Sequence, residues 1–156
     1  YVTKENYNKA LDYYGQSNDK NNPKLIYGEA YSLYKNGKYE EALKKFQSLK
    51  NSDYYNQSIY HIFAINYKLK NFDEIIRNRE IIRKVVVSQV DTDNIIRIIA
   101  NSAYQVGNYK LAKDYYGRLF AVSPDKENLF RVILLDSQML DMEDLRIRFN
   151  QYNELY

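Results

Sequence analysis

The chain has 156 residues, 45% of them hydrophobic and 28% charged, with a net charge of +3 from interspersed acids and bases. Its length suits one ordinary domain or roughly three to five units of a small repeat, and so weak a net charge makes nucleic acid an unlikely principal partner. The absence of cysteine excludes disulfides, thiolate metal sites and a thiol nucleophile, while two prolines and five glycines are too few turn residues for a chain of many short strands.

The expected elements are all helices. The first is predicted over 3–15, and a polar connector, NDKNN at 18–22, follows it. Helices at 23–36 and 39–50 come next, separated by Gly37, which suits the left-handed residue that ends a helix. In the first of this pair Tyr27, Tyr31 and Tyr34 recur at i, i+4 and i+7 and form one stripe, flanked by Lys24 and Lys35. Helices at 56–69 and 72–88 follow, the second running on through the β-branched stretch KVVVSQV. The pair 93–106 and 109–121 turns at Gly107, with Asp91 to Asn94 (DTDN) read as its N-cap. The last pair is 125–139, opened by Pro124 after a Ser123 cap, and 142–154.

The apolar runs NIIRIIA at 94–100 and RVILL at 131–135 are far shorter than the roughly 20 residues of a membrane span, so no membrane insertion is expected. The sequence begins at Tyr1 with no initiator methionine or leader, so a targeting segment is expected to have been removed or to lie outside it. Both an oxidising cell envelope or periplasm and a reducing cytoplasm are compatible with cysteine-free composition. Abundant Asn, Lys, Ile and Tyr, all read from A/T-rich codons, suggest a low-GC bacterial source.

Internal repetition is the strongest signal. Asn6 to Gly15 (NYNKALDYYG) and Asn108 to Gly117 (NYKLAKDYYG) agree at seven of ten positions, and looser copies start at Lys38, Asn71 and Met142. The marker residues Ala10, Ala42, Ile75, Ala112 and Leu145 are separated by 32, 33, 37 and 33 residues. The longer interval implies extra residues near 85–93, extending the second helix of that unit.

Ile96, Ile99, Ala100, Gly107, Tyr109, Ala112, Tyr116 and Pro124 fall in the order and spacing of a tetratricopeptide repeat (TPR), whose period is about 34 residues. This segment resembles that family closely. Ile26, Ala30, Leu33, Gly37, Tyr39, Ala42 and Phe46 reproduce most of the pattern, with Glu29 where an apolar residue is usual. The segment with Tyr60, Phe63, Ala64, Tyr67 and Phe72 fits if its turn is one residue shorter than usual, and it lacks the turn glycine. Phe130, Ile133 and Leu134, then Leu145, Phe149 and Tyr152, keep only the apolar spacing.

The resemblance implies an all-α, right-handed solenoid of stacked antiparallel helix pairs with about nine helices in a single domain. Its expected divisions are the second helix of a truncated repeat over 1–20, repeats at 23–55 and 93–126, a degenerate repeat at 56–91 and a degenerate or capping repeat at 127–156. It further implies a concave groove lined by the first helix of each pair. Carried onto this sequence, that groove takes Lys24, Tyr27, Tyr31, Tyr34 and Lys35, then Tyr60, Tyr67 and Lys68, then Arg97, Asn101, Tyr104 and Gln105. A one-residue shift in the middle segment exchanges Tyr60 for His61.

The function implied is a scaffold or adaptor that holds a protein or peptide partner in an assembly, in the envelope or a motility apparatus being one setting. Self-association through residues 3–15 is an alternative, as is a nucleic-acid or regulatory-peptide binder using Arg77, Arg79, Arg83 and Lys84. No enzyme is expected: glycine-rich phosphate loop, GxSxG and HExxH motifs are absent. No metal or cofactor is expected either, since His61 is the sole histidine and has no companion ligands.

Overall fold

A computed structural model of the chain describes residues 4–16, 19, 21–139 and 142–155. Position 3 of the first expected helix and positions 18 and 20 of the polar connector lie outside the described residues. Among the described residues there are no strands. The helices are α1 (Lys4–Gln16), α2 (Pro23–Lys35), α3 (Tyr39–Ser48), α4 (Tyr55–Lys68), α5 (Phe72–Arg77), α6 (Gln89–Gln105), α7 (Tyr109–Val122), α8 (Lys126–Gln138) and α9 (Met142–Leu155), with a 3-10 segment at Arg79–Arg83.

The chain divides into two compact units, Tyr1–Asn71 with Lys84–Val87, and Phe72–Arg83 with Ser88–Tyr156. In the first unit α1 packs on α2, α2 on α3 and α3 on α4. Ala30, Leu33, Ala42, Phe46, Leu49 and Ile65 form its buried centre, with Leu11 and Ile26 packed against them. Ala30 and Ala42 are small enough to bring the helices of this pair close, and Phe46 fills the space between one pair and the next helix.

In the second unit α5 packs on α6, α6 on α7, α7 on α8 and α8 on α9. Ile95, Ile99 and Ala103 repeat every four residues on the buried side of α6, and Ala112, Tyr115, Tyr116 and Leu119 form the buried side of α7 at i, i+3, i+4 and i+7. In α7 the alanine-and-tyrosine motif that repeats in the sequence is therefore a packing motif, whereas its α1 copy leaves Tyr13 68% exposed.

Local chemistry sets the helix starts. Asn22 caps α2 by accepting from the Lys24 amide at 3.0 Å, with Pro23 in the first turn where its missing N–H is harmless. Asn108 caps α7 in the same way through the Leu111 amide, at 3.2 Å.

Three expectations are corrected. The helix expected over 72–88 ends at Arg77. There the side-chain Nδ2 of Asn78 donates to the Glu74 carbonyl at 3.0 Å, which the Asn78 backbone N–H also meets at 3.1 Å, and to the Glu74 carboxylate at 2.6 Å, a local bonding pattern that competes with helix propagation. The β-branched valines beyond it resist helix, and residues 86–88 carry no regular structure. The following helix accordingly starts at Gln89, not 93, and its cap is Ser88, whose hydroxyl accepts from the Asp91 amide at 3.1 Å. Asp91 sits inside the first turn. Finally, α8 is capped by Asp125, which accepts from the Asn128 amide at 2.8 Å, so Pro124 and Ser123 precede the helix.

Candidate partner-binding faces

The geometry of three turns sets a common register. After α2, the amides of Asn36, Gly37 and Lys38 donate to the carbonyls of Ser32, Tyr34 and Leu33 at 3.0, 3.1 and 3.0 Å. After α4, Leu69, Lys70 and Asn71 do the same to Ile65, Tyr67 and Asn66 at 2.9, 3.1 and 2.9 Å. After α6, Val106, Gly107 and Asn108 repeat it on Ser102, Tyr104 and Ala103 at 3.2, 3.0 and 2.8 Å. This is the Schellman closure of a helix.

The middle turn is thus the same length as its neighbours, not one residue shorter. Lys70 takes the left-handed position at φ 59°, where Gly37 and Gly107 have φ 79° and 76°. In this register Phe63, not Ala64, occupies the position of Ala30 and Ala100. It also makes Tyr27, Tyr60 and Arg97 equivalent, as are Tyr34, Tyr67 and Tyr104, and Lys35, Lys68 and Gln105.

In the first unit the tyrosine stripe is a packed layer around one residue that sequence reasoning set aside. His61 lies 5.5 Å, ring to ring, from both Tyr31 and Tyr34 and stacks on Phe46 at 4.9 Å. Its Nε2 is hydrogen-bonded to the Tyr27 hydroxyl at 3.3 Å. His61 shares a turn register with Gly28, which faces Tyr14 of α1. The position one past Tyr27 or Tyr60 therefore packs back on the preceding helix, leaving Tyr60, half-buried, at the position of Tyr27. Spacing from the turn was the signal available in the sequence; the missing glycine obscured it.

Two ammonium groups sit on this layer. Lys35 Nζ lies over the rings of Tyr31 and Tyr34, 5.2 and 5.7 Å from their centroids, and Lys68 Nζ lies over Tyr39 at 5.7 Å. The Tyr31 hydroxyl holds the Lys35 ammonium above its ordinary pKa, and burial, with the Tyr60 field second, pushes the Tyr34 phenol up. Lys24 and Lys35 are exposed, and the one carboxylate on α2, Glu29, is spent on Lys45 of α3 at 2.7 Å. The α4 sequence has no acid at all.

In the second unit the corresponding residues of α6 are tied to their neighbours. Arg97 donates to Asn128 at 3.0 Å, Asn101 accepts from the Tyr116 hydroxyl, and Tyr104 accepts from Gln138 at 3.2 Å. Gln105 is exposed. On α8 the same register brings up Phe130 and Leu134, 55% and 40% exposed. These two were recognised in the sequence only as apolar spacing.

Within the basic cluster Arg77 pairs with Glu74 at 2.7 Å, and Arg83 and Arg79 share Glu80 at 2.9 and 3.5 Å. Among the described residues no group of His, Cys, Asp and Glu is placed to hold a metal ion, and no helix is long and apolar enough to cross a membrane.

Stacked antiparallel pairs, a repeated closing turn and a shared register on the first helices define a TPR-like all-α helical-repeat solenoid. The chain superimposes on the solved structure of the MamA RS-1 ArsTM double mutant with a TM-score of 0.74, covering 97% of this chain and 86% of that one at 15% identity. No protein-family model and no curated protein matches the sequence.

Proposed function

We propose that this protein is a non-catalytic interaction scaffold that binds a partner protein or peptide on the first-helix face of its repeats and so recruits it into an assembly, in bacteria if the codon signature of the sequence is a guide. The observation that carries this reading is the charge imbalance of the first unit. Lys24, Lys35 and Lys68 border a half-buried tyrosine layer on helices whose only carboxylate is engaged elsewhere. Tyrosine supplies a large rigid face with a polar tip, and a cation already seated over a ring is poised for an acid. The partner segment that complements this face is acidic and carries apolar or aromatic anchors.

The test is fluorescence anisotropy with labelled peptides that carry Leu, Phe or Tyr anchors among acids, beside versions with the acids changed to lysine. The acidic peptides should bind more tightly, and Lys35→Glu with Lys68→Glu should weaken them by roughly tenfold or more without loss of helicity. Equal binding of both sets, or indifference to the charge reversal, would refute the reading.

A further inference from the structure

In the first unit Tyr27, Tyr31 and Phe46 form a cradle for one side chain of the next first helix. The Tyr27 and Phe46 rings lie 5.6 Å apart, and the His61 imidazole of α4 stacks on Phe46 at 4.9 Å and meets Tyr31 at 5.5 Å. In the second unit the same repeat positions hold Arg97, Asn101 and Tyr116. Arg131 of α8, at the turn register of His61, lies over the Tyr116 ring at 5.4 Å. Each cradle is therefore filled by one position of the following first helix, which lays a planar group on the ring.

The same positions recur as Phe130 and Leu134 on α8 and Phe149 on α9. This third set is open. Phe149 is 54% exposed, alongside the exposure of Phe130 and Leu134, whereas Phe46 and Tyr116 are buried. A groove of ≈ 560 Å³ lies against α9 at Phe149, with Met142 and Leu145 in its lining. The polarity of α9 is also reversed for a surface helix: Asp144 and Tyr152 turn inward to Lys113 and Lys126, and Met142 and Phe149 turn outward. An apolar face of this kind marks an interaction site.

The third set has none of the polar members of the second, so it selects an apolar or aromatic side chain. Its charges are mixed: α8 carries two bases and two acids, and α9 two bases and three acids. Arg131 pairs with Glu127 at 2.9 Å and Arg146 with Glu143 at 3.2 Å. A second copy of the chain thus meets no block of like charge there, although the whole chain is at +3, and it brings the ring that the cradle takes, its own Phe149. We propose that this face is a dimer interface between two copies related by a two-fold axis, in which Phe149 of each copy enters the cradle of Phe130, Leu134 and Phe149 on the other. It is separate from the tyrosine layer of the first unit and does not rest on the function proposed for that layer.

Sedimentation velocity of the intact chain, over about a hundredfold range of concentration, tests it. A concentration-dependent dimer that grows no further is expected, weakened by roughly tenfold or more in Leu134→Ser with Phe149→Ser and unchanged in Tyr13→Ser. All three side chains are exposed, so circular dichroism should show the helices retained in each variant. Because the chain has no cysteine, a spin label at Arg146→Cys gives an independent reading: one intermolecular distance, abolished by the cradle substitutions. A monomer at every concentration, which would leave the face to a helix of another protein, would overturn the interface. So would a ladder of oligomers lost in Tyr13→Ser, which would place the contact on α1.

Discussion

Asp136 Oδ1 lies 2.6 Å from Lys113 Nζ, joining a carboxylate that is wholly buried on α8 to an ammonium on α7 that is 19% exposed. Asp144 of α9 meets the same ammonium. Three successive helices of the second unit thus converge on one lysine. A buried charge is tolerable only while its partner remains, and removal of one member of such a pair typically costs about 3 to 5 kcal/mol. Lys113→Met should therefore be among the most destabilising single changes in the chain. Lys113→Met combined with Asp136→Leu should recover most of the loss, as measured by urea denaturation; no recovery would show that the ion pair is not what makes Lys113 necessary.

The same lysine makes a prediction about alkali. Burial opposes its charge, but hydrogen bonds from the ammonium to Asp136 and Asp144, together with their fields, outweigh that and push its pKa up to about 12 from 10.5. A raised pKa means that the folded state holds the proton more tightly. The contribution is fully present below about pH 10.5 and is lost as pH rises toward 12. Burial raises the Tyr34, Tyr55 and Tyr115 phenols as well, so they act in the same direction. The double variant Lys113→Met with Asp136→Leu should lose stability less steeply above pH 10.5 than the parent does; parallel curves would contradict the assignment.

The turn after α4 offers a stabilising change. Lys70 adopts a φ of 59° at a position that its two counterparts fill with glycine. A left-handed conformation costs an L-residue roughly 1 to 2 kcal/mol, offset in part by the greater chain entropy that glycine has when unfolded. Lys70→Gly should raise stability by roughly 0.5 to 1 kcal/mol, whereas Lys70→Ala should change it little. Denaturant midpoints of the two variants decide the matter, and a Lys70→Gly midpoint at or below the parent's would count against it.

That turn also shows how much could be read from the amino acids. The apolar period and the glycines at 37 and 107 were sufficient for seven of the helices, whose ends fall within about two residues of expectation, because those signals are local. Where the local signal was replaced, reading failed. Lys70 concealed a turn of normal length, and the register of the middle repeat was left open for want of a glycine. The break at Arg77 was missed because it comes from Asn78 bonding back to Glu74, with no glycine or proline to announce it. At the candidate site, periodicity located the tyrosines, but their partners come from other helices. That His61 lies among Tyr27, Tyr31, Tyr34 and Phe46, or that Lys35 rests over two rings, depends on tertiary packing.

The last prediction concerns how α1 docks on α2. Gly28 is the one glycine at which an added Cβ finds a neighbour: it would lie 2.7 Å from Cζ of Tyr14 and collide with the hydroxyl as well. Within a helix, alanine is otherwise better than glycine by about 1 kcal/mol. The two effects oppose each other, and only one of them depends on Tyr14. Gly28→Ala alone should be neutral or destabilising, because the Tyr14 ring must leave its seat. In a Tyr14→Ala background the same change should stabilise by about 1 kcal/mol, leaving a clear coupling energy in a double-mutant cycle. Circular dichroism melts of the four proteins measure it. If Gly28→Ala stabilises equally with and without the ring, Tyr14 does not pack on Gly28 in solution and α1 does not dock as described.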